Sequence, residues 1–413
     1  MWSLILLCAG LPAFADEHPI PLQEQERGID ALDGITTGVS LVAVAQRADS
    51  KAVATGTPSS AANFRGDVSA TLPAGTMGDA SGHLFAHLRL GEGTGLVLDN
   101  TYSCTPNSTA FQAAEGGVGI ILAQLWYQLD VPLGASAHEH LEFNVGKIDP
   151  FVFFDQNTIA DDESAQFLNN VFVHNPLLDS GGDAGVDNYG FTPGMRVSYH
   201  NGAGDPAWWR VSLGVFAAGS GADFDRSFSS PFVIGQLEYG NRFSEVLEGT
   251  YRLYAWRNGL ATGYQNEFET NSEVHTGWGI SLDQQVGEAT TLFARFGQNT
   301  GGRVRFDRAL TLGAELSGSG WGRADDTLGF AFGRMYTSEG FRAVSATLDV
   351  DADGNPDFGY SATGAEEVAE LYYRMSINEM LELSPDIQWI RHPGGDATAP
   401  SMKLFALRAR LSF

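Results

Sequence analysis

Three groups of residues in this 413-residue chain have types and spacings suited to chemistry. Asp349, Asp351, Asp353, Gly354, Asn355 and Asp357 have the Asp-x-Asp-x-Asp-Gly spacing of a calcium loop, where alternate carboxylates wrap a hard cation. The twelfth position is Tyr360 rather than a bidentate glutamate, so an acidic external loop explains the run equally well. His83 and His87 share one face of an extended segment, as do His138 and His140. Neither pair has a third ligand nearby in sequence, and no metal site or cofactor is expected from them. The third group is arginine. Arg89, Arg196, Arg210, Arg252, Arg295, Arg374, Arg408 and Arg410 lie in segments where polar and apolar residues alternate. Each guanidinium offers five fixed donors, carboxylates such as Glu370 accept, and rings such as Trp256 and Tyr372 can stack. That mixture can hold a polar solute through donors, acceptors and ring faces, although arginine–carboxylate pairs can also simply brace a wall.

Other chemistry has little support. No nucleophile elbow, phosphate loop or zinc-protease motif is present. Carboxylates are plentiful enough to supply paired acids for glycoside hydrolysis, but no loop carries a recognisable catalytic set, and no enzyme is expected. Of the two cysteines, Cys8 falls in an apolar leader, which leaves Cys104 without an intrachain disulfide partner.

The elements that position these residues are extended. Charged residues make up only 18% of the chain despite a net charge of −26, so it is not a disordered acidic tail. The 50 glycines favour many turns over long helices. With 24 basic against 50 acidic residues and no basic cluster, nucleic acid is not an expected partner. Past the leader no apolar run reaches the roughly 18 residues a membrane helix needs, whereas short alternating strands remain open.

Residues 1–15 end in Ala13-Phe14-Ala15, an A-x-A site, and read as a signal peptide; the n-region lacks Lys or Arg. Residues 16–34 are a polar periplasmic lead-in. From residue 35 to 413 the chain repeats alternating runs of about ten residues separated by turns, the pattern of transmembrane β-strands. Sixteen strands are expected, near 35–46, 64–72, 82–90, 118–130, 139–147, 190–200, 207–217, 231–240, 246–257, 274–283, 289–297, 308–317, 326–334, 366–375, 380–390 and 402–413. Links mostly alternate between short ones, such as 201–206 and 376–379, and long ones, such as 91–117, 148–189, 258–273 and 335–365. The expected fold is therefore all-β: a transmembrane antiparallel barrel of about 16 strands.

Parity assigns the faces. Phe405, Leu407, Ala409, Leu411 and Phe413 alternate with Arg408, Arg410 and Ser412, and the two preceding strands behave alike. An arginine facing lipid near the midplane would cost about 2–4 kcal/mol, so the arginines are expected in the lumen. Terminal Phe413 and the aromatics near strand ends fit an outer-membrane barrel.

Gly146-Lys147-Ile148-Asp149-Pro150 with Phe151 to Phe154, Phe167-Leu-Asn-Asn170 and Asn175-Pro176 resembles the carbohydrate-selective porins of the OprB family. Glu370-Leu-Tyr-Tyr-Arg374, Leu383-Ser-Pro-Asp-Ile-Gln388 and His392-Pro-Gly-Gly395 are similar to that family too, as are Gly277-Trp-Gly-Ile-Ser-Leu282 and Leu292-Phe-Ala-Arg-Phe-Gly297. The resemblance implies passive diffusion of mono- and small oligosaccharides across a Gram-negative type outer membrane, through an arginine-lined pore narrowed by loop 148–189. Its implied surroundings are outer-membrane lipids and lipopolysaccharide, with a homo-oligomer open. A general porin, or a plugged barrel serving as a docking protein, are the alternatives.

Overall fold

The computed structural model describes residues 34–49, 53, 56–98, 104–111, 117–134, 138–178, 189–203, 205–218, 229–243, 246–265 and 272–413; the leader and all of the lead-in except Gly34 lie outside them. The strands are β1 (Thr36–Ala48), β2 (Ser60–Met77), β3 (Ala80–Gly93), β4 (Gly119–Pro132), β5 (Glu139–Ile148), β6 (Thr192–Asn201), β7 (Ala207–Phe216) and β8 (Phe232–Phe243). They continue with β9 (Leu247–Ala261), β10 (Glu273–Gly287), β11 (Thr290–Gly301), β12 (Phe306–Ser317), β13 (Thr327–Thr337), β14 (Ala365–Ser376), β15 (Leu381–Arg391) and β16 (Met402–Ser412). Each pairs antiparallel with its sequence neighbours, and β1 pairs with β16 from Ser40↔Ser412 to Ala48↔Leu404. This closes a sixteen-stranded barrel with no free sheet edge, so strand backbone groups are satisfied within the sheet, as a bilayer demands.

All sixteen expected segments are strands, and the largest boundary difference has a local cause. The β2–β3 hairpin runs on past the expected ends at 72 and 82 to a two-residue turn at 78–79. Pro73 lacks an N–H and would normally end a strand. Here a register shift between Pro73 and Thr76 absorbs it, and Gly75 takes φ +98. The long links gather at one end and most short ones at the other. The exceptions are 302–305, short at the long-link end, and 318–326, which carries a 3-10 turn at the short-link end.

Period two separates the faces as parity requires. Phe405 and Leu407 are more than half exposed, whereas Leu404 and Arg408, which flank them, are buried. The exposed apolar side chains form the belt that meets lipid. At its short-link edge Tyr199 packs on Trp209, Tyr239 on Tyr251 and Trp321 on Tyr373, an aromatic girdle. No helix among the described residues is long enough to cross a membrane. The two short helices, α1 (Asn170–Val173) and α2 (Glu339–Val344), lie in links. Ser338 caps α2, its Oγ accepting from Phe341 N at 3.1 Å, and Phe341 packs with Tyr264, Phe358 and Tyr360.

The inner face does not enclose an ordinary core. The largest buried apolar cluster is made by the link after β5, including Phe151, Phe153, Phe154, Ile159, Phe167, Phe172 and Leu177, pressed on Phe216, Tyr254, Phe293, Met335 and Tyr372 of the wall. Each such side chain buried contributes about 1.5–3 kcal/mol, which holds the loop in the lumen. The fold makes one expectation for the outer face: Leu407→Arg should cost about 2–4 kcal/mol. Denaturant titration of the protein in liposomes would measure it, and a loss below about 1 kcal/mol would contradict the lipid-facing assignment of this position.

Candidate functional site: the constricted lumen

The constriction starts where β5 ends. Asp149 accepts from Phe151 N at 2.9 Å and caps a 3-10 turn over Pro150–Val152. The chain then turns sharply at Asp155, whose φ of 56 places it in the left-handed region, where Asp is tolerated better than most residues. The loop crosses the lumen, and bonds between side chains and backbone tie it to the wall. Gln236 accepts from Asp155 N at 2.9 Å, Ser281 Oγ donates to Gln156 O at 2.8 Å, and Asn157 Nδ2 donates to Leu282 O at 3.1 Å. On the far side Glu370 accepts from Leu168 N at 2.6 Å and Asn169 N at 3.0 Å. Asn169 caps α1 through Val171 N and also donates to Gln388 Oε1 at 2.9 Å.

Two arginines act as fixed clamps. Arg408 donates to the carbonyls of Glu163, Ala165 and Gln166 at 2.9, 2.8 and 2.7 Å. Arg295 reaches Asp155 Oδ1 at 3.1 Å, Asp155 O at 2.9 Å and Phe172 O at 2.7 Å. Asp155 Oδ1 also accepts from Tyr254 Oη at 2.7 Å, and its Oδ2 from Asn175 N at 2.5 Å. This fully buried carboxylate is the knot of the loop.

The remaining predicted lumen residues fall into two groups. Arg196, Arg252, Trp256, Glu370 and Tyr372 are buried, like Arg295 and Arg408. Arg196 pairs with Glu142, bonds Asn144 at 2.8 Å and covers the Phe153 ring; Arg252 pairs with Asp283 at 2.7 Å. Trp256 packs beside Tyr254, and Tyr372 donates to Glu315 at 2.7 Å while edging onto Phe167. Arg89, Arg210, Arg374 and Arg410 keep more contact with open space, pairing with Asp67 at 2.7 Å, Glu238 at 2.7 Å, and Glu382 at 3.8 and 3.2 Å respectively.

Open space remains between the loop edge and the β1–β4 wall, a cavity of about 300 Å³. Arg65, Asp67, His87 and Arg89 line its wall side, Phe151, Asp161, Asp162 and Glu163 its loop side, and Tyr189 its rim. Asp67 is shared: Arg65 Nε is at 2.8 Å, Arg89 Nε at 2.7 Å and His87 Nε2 at 2.8 Å. Arg65 Nη1 bridges across to Glu163 Oε1 at 2.5 Å. Of the lumen residues expected from sequence, Arg89 lines this cavity, and so does His87. Arg65 and Asp67 were not singled out, yet the signal was present: Arg65, Asp67 and Ser69 alternate with Gly66, Val68 and Ala70 in the strand that carries them.

The neighbouring loop acids titrate in opposite directions. Burial opposes ionisation at Asp162, but Arg410, Ser164 and Arg65 outweigh it and hold the carboxyl below its ordinary range. Burial prevails at Asp161 and raises it, despite His174 at 3.4 Å and Arg295 at 3.7 Å.

The family model for the carbohydrate-selective porins, OprB family, matches residues 101–413. The chain belongs to this family. Porin B of Pseudomonas aeruginosa is 28% identical over 231 residues, covering 50% of this chain and 49% of that protein, so the match spans about half of that relative. Among solved structures, the high-pH form of Pseudomonas putida OprB aligns with a TM-score of 0.73 at 17% identity, over 92% of this chain and 94% of that one. The outer membrane channel DcaP of Acinetobacter baumannii aligns with a TM-score of 0.52 at 9% identity, over 94% and 99%. At these identities the structural likeness is one of fold. The closed barrel agrees with membership of this family of porins.

Two expectations follow from the site. Asp155→Ala strands the buried Arg295 and should cost about 3–5 kcal/mol, with Asp155→Asn milder. Chemical denaturation reads the loss, and a value under about 1 kcal/mol would show that the knot is dispensable. On acidification Asp161 should take up its proton before an ordinary carboxylate and Asp162 after one. The Asp162 interactions therefore stabilise the loop above the ordinary carboxylate range and fade as pH falls below it; the burial of Asp161 costs stability once pH rises enough to ionise it. Unfolding midpoints across acid pH for Asp161→Asn and Asp162→Asn should show these opposite trends, and parallel curves would contradict them.

Proposed function

We propose that this chain is a diffusion channel of the outer membrane that passes mono- and small oligosaccharides through the opening between the constriction loop and the β1–β4 wall. The apolar leader at 1–15 supports export. The lipid belt and aromatic girdle support residence in a bilayer. The observation that carries the sugar reading is the lining of that opening. Arg65 and Arg89 stand on a shared Asp67, facing Asp162 and Glu163, with Phe151 and Tyr189 beside them. Fixed donors, acceptors and ring faces close together match what a pyranose offers, namely hydroxyls around its edge and an apolar face. Because the arginines are already paired with acids, a neutral solute exchanges hydrogen bonds there without having to supply a counter-charge.

In this reading Arg65 and Arg89 touch the solute, and Arg210, Arg374 and Arg410 line its approaches. Arg196, Arg252, Trp256, Arg295, Glu370, Tyr372 and Arg408 act through the loop and set the width of the passage. The acidic total does not by itself set ion preference, because part of it lies in links such as Asp325 and Asp326, and at the opening Arg65 and Arg89 stand among Asp67, Asp161, Asp162 and Glu163.

Liposome swelling with glucose, a disaccharide and a small neutral amino acid tests the proposal. Glucose should enter faster than the smaller amino acid, and Arg89→Ala should change the glucose rate several-fold while altering the amino-acid rate less. Rates ordered by size alone would make this a general porin. No swelling would mean a plugged barrel with a docking role.

A further inference from the structure

We propose that His140, Glu142 and His200 form a binding site for a first-row divalent transition metal, zinc fitting best, on the lumen wall where β5 and β6 meet at the short-link end. His140 and His200 are directly opposed across the two strands, and Glu142 follows His140 by two positions, so all three side chains share the inner face. The alternate residues Leu141, Phe143 and Tyr199 belong to the opposite, lipid-side parity.

The ligand atoms of the three residues lie within 4.8 Å of one another. His200 Nε2 is buried and sits 3.4 Å from Glu142 Oε2 without a hydrogen-bond partner. Zinc bonds of about 2.0–2.2 Å at tetrahedral angles put adjacent ligand atoms roughly 3.3–3.5 Å apart, so this separation is already that of two ligands on one ion. The imidazoles of His140 and His200 are stacked, with centroids 4.2 Å apart and planes 20° apart. A tetrahedral ion needs the rings tilted toward it. His140 is only half-buried and its χ2 torsion is soft, so that side chain can make the adjustment.

Surrounding groups complete the site. Arg196 Nη1 holds Glu142 Oε1, which fixes the carboxylate and leaves Oε2 for the ion. Such outer contacts orient the ligands of most protein-bound metals. Asp130, opposite Glu142 in the register and paired with His83 at 3.5 Å, adds a negative charge that offsets Arg196 and Arg210 nearby. Two imidazoles and one carboxylate select borderline cations over calcium or magnesium. Three protein ligands leave the fourth position to water from the lumen.

The test uses the full mature chain, purified in detergent without a histidine tag. Isothermal titration with zinc should show one saturable site per chain at micromolar affinity or tighter. Cobalt should give the visible absorption of a tetrahedral nitrogen–oxygen site. His140→Gln and His200→Gln should each weaken zinc binding at least about tenfold and abolish the cobalt band; His140→Gln, at the half-exposed position, covers the case in which His200→Gln fails to fold. Heat-modifiable migration on gels would establish that each variant is a folded barrel. The proposal is overturned if the wild type shows no saturable zinc binding, or if zinc binds His140→Gln and His200→Gln as tightly as wild type.

Discussion

A loop folded into a barrel must find hydrogen-bond partners for its own backbone, and most of the lumen answers to that requirement. Residues 149–178 leave the sheet and cross the interior, where a buried N–H or C=O without a partner costs about 1–3 kcal/mol. The wall supplies the partners that a ladder would otherwise give. Glu370 accepts two successive amides, Arg408 donates to three carbonyls and Arg295 to two. These side chains can stand inside only because their strand neighbours face lipid. The alternation that makes the barrel insert is therefore what equips its interior.

That requirement also divides the arginines. Those meeting the middle of the loop are fully committed, since Arg295 sits in a knot with Asp155, Tyr254 and Asn175, and removing any member leaves a buried charge or dipole exposed to its neighbours. Those at the loop edge meet carboxylates instead of carbonyls. Arg65, Arg89 and His87 converge on Asp67, and Glu163 reaches back from the loop. The same guanidinium chemistry thus braces the loop in one place and presents donors to open space in another.

The pair Asp161 and Asp162 shows how fine that division is. Adjacent in sequence, they titrate in opposite senses because Asp162 faces Arg410 and Arg65 while burial dominates at Asp161. Composition alone would have counted two identical charges.

Sequence by itself determined the barrel. Sixteen alternating segments and the apolar parity of Phe405 and Leu407 against Arg408 follow from period two and from the cost of a charge in lipid, both local properties. It also determined which way Arg89, Arg252 and Arg295 face. It did not determine what they touch, because contacts across the lumen join residues far apart in the chain, such as Arg408 and Ala165 or Glu370 and Leu168. The β2 ladder of Arg65 and Asp67 was legible by parity but acquired meaning only when Glu163 arrived from the loop. The face shared by His138, His140 and Glu142 was likewise legible by alternation, whereas His200 lies far along the chain. Only strand register could set His200 opposite His140, because register is fixed by pairing across the whole sheet and not by either strand alone.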